Sequence, residues 1–307
     1  MYKVVVTGAA GLVGQNLIPL LVKDFKEVVC IDKHQENLDL LKNLNPDITA
    51  VQADCSEDGW QQHLAGADVL VTMAVQISAQ DPQLFHKNSF LATKKAVDAA
   101  KKYGVNHVVH ISSSVVISKA EDEYTKTKRM AEDYIIKSGV AYTILRPALI
   151  YGPFDNKHLG YLSRFLEKSP IFPVPGDGKI IRQPIYVLDV ANVIAAAAKR
   201  EPRDRIYDLI GNEKIFYIDL IKTIAKVKNI QRLIVPLPIS VFAFLMNAHA
   251  AITRSLPFTE DQLKALVAGD VFRVFPWWDE FGVPYTPFET AWREMQGLPQ
   301  YKYVLKK

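Results

Sequence analysis

Lys3-Val4-Val5-Val6-Thr7-Gly8-Ala9-Ala10-Gly11-Leu12-Val13-Gly14 sets the architecture of this chain. The β-branched run up to Thr7 reads as a strand and the apolar spacing from Leu12 as a helix, so three glycines fall at a strand-to-helix turn. Gly8 permits the tight turn, Gly11 lets backbone approach a pyrophosphate, and Gly14 allows close packing of helix on strand. The helix N-terminus, at Leu12 and Val13, adds free N–H groups and the positive end of the dipole, so phosphates need no cationic side chain there. The spacing is GxxGxxG rather than GxGxxG, and its position at the very first turn of the fold gives it weight.

Beyond this turn, strand patterns recur near 2–7, 27–31, 48–52, 68–72, 106–111 and 140–145. Helical patterns lie between them at about 11–23, 34–43, 56–64, 83–103 and 122–138, with Pro19 expected to kink the first. That alternation predicts an α/β, Rossmann-type doubly wound parallel sheet. After Arg146-Pro147 the prolines and glycines cluster, and Gln183 to Val190 followed by Ala191 to Lys199 reads as strand and helix rejoining the main sheet. The expected organisation is a dinucleotide-binding domain of 1–153 plus 181–211, interleaved with a smaller substrate-binding region of 154–180 plus 212–307.

The 307 residues are 49% hydrophobic and 23% charged, which is ordinary globular usage and excludes a disordered or fibrous chain. A net charge of +4, evenly spread, gives no footprint for nucleic acid and points to a small-molecule ligand. Cys30 and Cys55 lack metal-ligand or CxxC spacing, so they read as buried free thiols and no metal site is expected. A strand pattern beginning at Tyr2 leaves no room for a targeting segment ahead of the fold, which places the protein in the cytoplasm. The apolar segment Ile239 to Ile252 is too short to span a membrane and reads as a core or lid helix, or as a peripheral membrane contact.

The second strand closes on Asp32, 18 residues beyond Gly14, where a carboxylate can accept hydrogen bonds from adenosine ribose and repel a 2′-phosphate. This favours NAD, while Lys33 and His34 beside it leave NADP open. Asp54, closing the third strand, is placed either to touch the adenine edge or to cap the next helix. Tyr124 and Lys128 stand four residues apart on one helical face, and Ser112-Ser113-Ser114 ends the preceding strand. A phenol with an ordinary pKa near 10 needs roughly 4 kcal/mol of phenolate stabilisation to exchange protons near neutrality. Lys128 supplies positive charge, Tyr124 transfers the proton, and Ser114 holds the substrate oxygen. A second Tyr-x-x-x-Lys pair, Tyr303 and Lys307, lies in the tail without such a context.

Together, the glycine turn, Val108-Val109-His110-Ile111-Ser112-Ser113-Ser114, Tyr124 to Glu132 as YxxxKxxAE, and Arg146-Pro147-Ala148-Leu149-Ile150-Tyr151-Gly152-Pro153 resemble the extended or atypical short-chain dehydrogenases/reductases of the NAD-dependent epimerase/dehydratase group. The resemblance covers about residues 1–210. It implies that Asn88 supports the active site, that Pro147 borders the nicotinamide, that Lys128 binds the nicotinamide ribose, and that Arg182 grips a substrate diphosphate, against a plain surface role for that arginine. Thr72-Met73-Ala74-Val75 stands where relatives often have His-Leu-Ala-Ala, so Ala74 falls at the wall beside the nicotinamide.

The resemblance implies a hydride-transferring oxidoreductase or epimerase, with a nucleotide sugar or, given Phe242, Phe244, Leu245 and Met246, an apolar or lipid-linked substrate. His158 is assigned to the substrate cleft, with solvent as its alternative. Leu256 to Leu263 and Phe281 to Phe288 are more similar to the branch holding the accessory NAD(P)H-binding subunit of respiratory complex I, which implies a non-catalytic assembly or sensor role as a further alternative. The family's common homodimer, through helices near 83–103 and 122–138, is the expected self-association.

Overall fold

The computed structural model describes residues 2–119, 121–245, 269–303 and 305. Seven parallel strands form the central sheet in the order β11-β6-β5-β4-β1-β2-β3. They are β1 (Lys3–Thr7), β2 (Glu27–Asp32), β3 (Thr49–Gln52), β4 (Val69–Thr72), β5 (His107–Ile111), β6 (Tyr142–Pro147) and β11 (Arg205–Leu209). Chain order reverses between β1 and β4, which makes the C-terminal ends of these strands the ligand-binding edge of such a sheet. Valines and isoleucines buried on both faces explain the continuous apolar runs.

Helices α1 (Leu12–Asp24), α2 (Gln35–Leu44), α4 (Ala92–Tyr103), α5 (Glu123–Ser138) and α7 (Val187–Lys199) cover the sheet. On one face Val4, Val6, Val71 and Val109 pack with Leu17, Leu21, Val190 and Ile194. On the other, Val5, Leu70 and Val108 pack with Ala92, Ala96 and Ala99. A second core joins β8 (Ile171–Pro175), α6 (Leu159–Lys168), α8 (Tyr217–Val227) and, numbered onward, α10 (Phe288–Gly297), around Tyr151, Phe172, Leu220 and Trp292.

Several sequence expectations change. The helix expected over 56–64 is only a 3-10 turn, Gln61–Leu64, because Gly59 takes φ +104° and the buried Trp60 indole donates to the Glu57 carbonyl at 3.1 Å. The helix expected over 83–103 carries a π-helical segment, His86–Leu91, between a short α3 (Gln83–Phe85) and α4. Pro19 lies inside α1 without dividing it. Strand β10 (Ile185–Tyr186) does not rejoin the main sheet but pairs with β7 (Ile150–Tyr151), and the edge place falls to β11. Trp277, Phe281 and Val283, around α9 (Trp277–Phe281), pack into the core of the main sheet, and the Trp277 indole donates to the Ile210 carbonyl at 2.9 Å. Residues 246–252 of the apolar segment and the sequence Leu256 to Leu263 lie outside the described residues.

Candidate active site

The glycine turn leaves β1 and enters α1 with little spare room. Gly8 has φ +70°, and a Cβ there would sit 2.6 Å from the Ala74 amide nitrogen, so this glycine brings Ala74, just past β4, against the turn. A Cβ on Gly14 would lie 2.0 Å from the Ala9 carbonyl oxygen, which ties α1 closely to the strand end. At Gly11 the nearest atom, the Gly8 carbonyl oxygen, is 3.4 Å away, so its outer side is open. Gly11 caps α1 without a side-chain hydrogen bond and no acidic residue occupies the first turn. The amides of Leu12 and Val13 therefore face a partly exposed rim with no carbonyl in their own helix to bond, as an anion cradle requires.

Asp32 ends β2 and is 6% exposed. Its Oδ2 accepts from the Ala10 amide at 3.0 Å, and its Oδ1 from the His34 amide at 3.0 Å, with His34 Nδ1 also at 3.0 Å. The carboxylate thus staples the glycine turn to the second strand, leaving one further lone pair on Oδ2 for a ribose hydroxyl. Asp54 forms a local turn after the third strand rather than a helix cap: its Oδ1 accepts from the Ser56 amide and hydroxyl at 2.9 and 2.7 Å. Burial works to raise its pKa, but the Ser56 bonds with Lys33 and Lys87 win and hold it below the usual carboxylate range.

At the end of β5 the chain turns through a 3-10 segment, Ser114–Ile117, with Ser113 as the last extended residue and its cap. The Ser113 hydroxyl acts on Tyr124 from this turn, and Ser114, 4% exposed, sits inside it. Parity along the strand hides this, because where extension stops is decided by the turn. Burial raises the Tyr124 pKa, the Ser113 bond opposes it, and Asp122 adds to it, so the phenol is neutral near pH 7. Asp122 caps α5 by accepting from the Thr125 amide at 2.7 Å, which fixes the helix start and hence the direction of Tyr124. Lys128, one turn on and 3% exposed, donates to the Ile111 carbonyl at 2.8 Å. Burial lowers its pKa to about 8, partly countered by Glu132.

Pro147 ends β6 at the same edge of the sheet, in register with Leu209. Asn88, within the π-helical segment, donates to Gln76 Oε1 at 2.8 Å, and the Gln76 amide donates to Ser89 Oγ at 3.1 Å, so the loop after β4 is pinned beside the turn. Reading the sequence missed Gln76; its only signal was its place just after a strand end. His158 and Arg182 belong to other elements. His158 stands at the N-terminus of α6, its amide bonded to Asp155 Oδ1 at 2.9 Å and its pKa lowered by burial against the pull of Asp155. Arg182 lies on β9 (Ile181–Arg182), paired with β12 (Ile215–Phe216), with its pKa lowered by burial and raised by Tyr217 and Asp270. Among the described residues no cluster of His, Cys, Asp and Glu could hold a metal ion, and no helix is long and apolar enough to cross a membrane.

Comparison with known proteins matches residues 4–209 to the model of the NAD dependent epimerase/dehydratase family. Mitochondrial NADH dehydrogenase (ubiquinone) 1 alpha subcomplex subunit 9 of Arabidopsis thaliana is 26% identical over 213 residues, 67% of this chain and 53% of the relative. Ceramide reductase of Caulobacter vibrioides is 27% identical over 194 residues, 63% of this chain and 60% of the relative. The chain therefore spans little more than half the length of these curated relatives. The crystal structure of UDP-glucose 4-epimerase with UDP-glucose from Thermotoga maritima superposes with a TM-score of 0.76 at 17% identity, over 95% of this chain and 97% of that one, a likeness of fold.

Proposed function

Because the chain belongs to the NAD dependent epimerase/dehydratase family, whose cofactor is NAD, we propose that it catalyses hydride transfer on a substrate alcohol or carbonyl with Tyr124 as its proton-transfer group. The observation that carries this reading is the placement of Tyr124 and Lys128 one helical turn apart on α5, with Lys128 buried and bonded to the Ile111 carbonyl at the ligand-binding edge of the sheet. NAD, when bound, supplies the nicotinamide that accepts or donates the hydride. Gly8, Gly11, Leu12, Val13 and Gly14 would hold its pyrophosphate, Asp32 its ribose, with Asp54, Ala74 and Pro147 lining the same edge.

In this assignment Tyr124 Oη exchanges a proton with the substrate oxygen, and Ser113 or Ser114 holds that oxygen and polarises it. The Lys128 ammonium lowers the energy of the phenolate and binds ribose. A nucleotide sugar is the preferred substrate, with Arg182 and His158 at its cleft; Arg182 is a partly buried cation of the kind that pairs with a diphosphate. An apolar substrate is the second reading, favoured by the exposed Ile239, Val241, Phe244 and Leu245, of which Phe244 is 70% exposed.

The test follows NADH absorbance, and the sugar-nucleotide products by chromatography because a returned hydride leaves no net NADH, with NAD+ and either UDP-glucose or a long-chain hydroxy lipid. Tyr124→Phe is expected to lower turnover by about a hundredfold or more while leaving NAD+ affinity within about twofold. Ser113→Ala and Ser114→Ala, compared side by side, assign the serine by the larger loss. Undiminished turnover in Tyr124→Phe would refute the assignment, and NAD+ binding without turnover on either substrate would favour an assembly role.

A further inference from the structure

Side chains 108, 110 and 112 share the face of β5 that lies beneath α4, with α5 reaching its end through Lys128. His110 there is 1% exposed, with Nδ1 2.7 Å from the hydroxyl of Thr72, its register partner on β4. Its Nε2 is buried and has no hydrogen-bond partner, and the same holds for Ser112 Oγ and Thr125 Oγ1. Lys128, on the same face of α5 as Thr125, places Nζ on the Ile111 carbonyl, between His110 and Ser112 in the chain. That bond uses one of three ammonium protons. Lys128 is also the charge that acts on His110.

We infer that His110 is a positioning residue for Lys128: an uncharged imidazole, protonated on Nδ1 and bonded through it to Thr72, whose bare Nε2 gives the ammonium a second acceptor through one buried water. The opposite tautomer would turn an N–H toward the same water, leaving both ring and ammonium as donors to it and no acceptor on the ring for the water's own protons. Ser112 and Thr125 complete the polar lining that such a water needs. Burial keeps the ring neutral, since charging it beside Lys128 would put two cations together. Held by the Ile111 carbonyl at the end of β5 and, through the water, by His110, Lys128 keeps its remaining proton for the cofactor side. This inference rests on the proposed function of Lys128.

The test uses the full chain with 15N-labelled histidine, His110 being identified by the signals lost in His110→Gln. Long-range proton–nitrogen spectra are expected to show a protonated Nδ1 and a bare Nε2 from about pH 8 to about pH 5.5. A protonated Nε2 anywhere in that range overturns the inference. In parallel, the titration of Lys128, followed through 13C-labelled lysine and assigned with Lys128→Arg, should fall by about one pH unit in His110→Leu and recover in His110→Gln, whose carbonyl replaces the acceptor. An unmoved Lys128 midpoint in a folded His110→Leu overturns it too. Should that variant fail to fold, the tautomer in the unmodified protein still decides. Both readouts are taken without cofactor, so a failure of the protein to bind NAD+ would sink the functional reading and leave this inference standing.

Discussion

Lys128 keeps a charge where water cannot reach it, and that has a stability cost. Its pKa of about 8 lies below the ordinary lysine value of 10.5, so the native protein binds this proton less tightly than the unfolded chain does. The penalty is therefore fully present below about pH 8 and is relieved as pH rises toward 10.5. Lys128→Met is expected to stabilise the protein at pH 7 by up to about 3 kcal/mol, the gain shrinking toward pH 10, as urea unfolding at both pH values would show. Gly14 carries the opposite expectation. Its Cβ position is occupied by the Ala9 carbonyl, so Gly14→Ala should cost about 2 kcal/mol or more and weaken NAD+ binding, measured by thermal unfolding and calorimetric titration. The Tyr124–Lys128 spacing and the glycine turn were legible because each is a local pattern. Which of the serines after β5 stays extended and which enters the 3-10 turn was not, because it depends on where a strand gives way to a turn.

The elements of the first half could be read because long β-branched runs alternate with long amphipathic ones. Those after Pro147 are two-residue ribbons and short helices, which carry too few residues for any period to emerge. What holds them is side-chain bonding between elements. Asp189, in the first turn of α7, accepts from the Thr286 amide at 2.8 Å and hydroxyl at 2.7 Å, and so ties the segment before α10 to α7. Burial raises its pKa to about 6, the Thr286 bonds lower it, and Glu294 raises it. The native state thus holds this proton more tightly than the unfolded chain, and ionisation costs stability that appears as pH rises from about 4 to 6. Asp189→Asn keeps an acceptor for Thr286 and removes the charge. It should match or exceed the unmodified protein in unfolding free energy at pH 7.5, by up to about 3 kcal/mol, and lose that advantage at pH 4, as urea unfolding at both pH values would show. Closer to the site, Arg146 on β6 binds Glu132 on α5 through two nitrogens, Nε at 2.9 Å and Nη2 at 2.5 Å, locking the helix that carries Tyr124 to the sheet.

At the scale of the molecule, the doubly wound sheet was predictable from alternation alone, whereas the packing of α9 onto the main core was not, since nothing in Trp277 to Phe281 says which core it joins. Both thiols lie in the interior, Cys30 at 0% and Cys55 at 6% exposure, and burial pushes the Cys55 pKa up to about 12. Neither should react with a disulfide reagent at neutral pH faster than the protein unfolds, so labelling rates with and without urea provide the check. The path of the chain between its two cores has a larger consequence. From Tyr151 it enters the second, returns through α7 and β11, leaves again with α8, comes back at Trp277, and ends in α10. A fragment cut at any single loop would strand apolar surface on both sides of the cut. Grafting a foreign specificity module onto this cofactor platform is therefore barred, and new selectivity has to be written one side chain at a time.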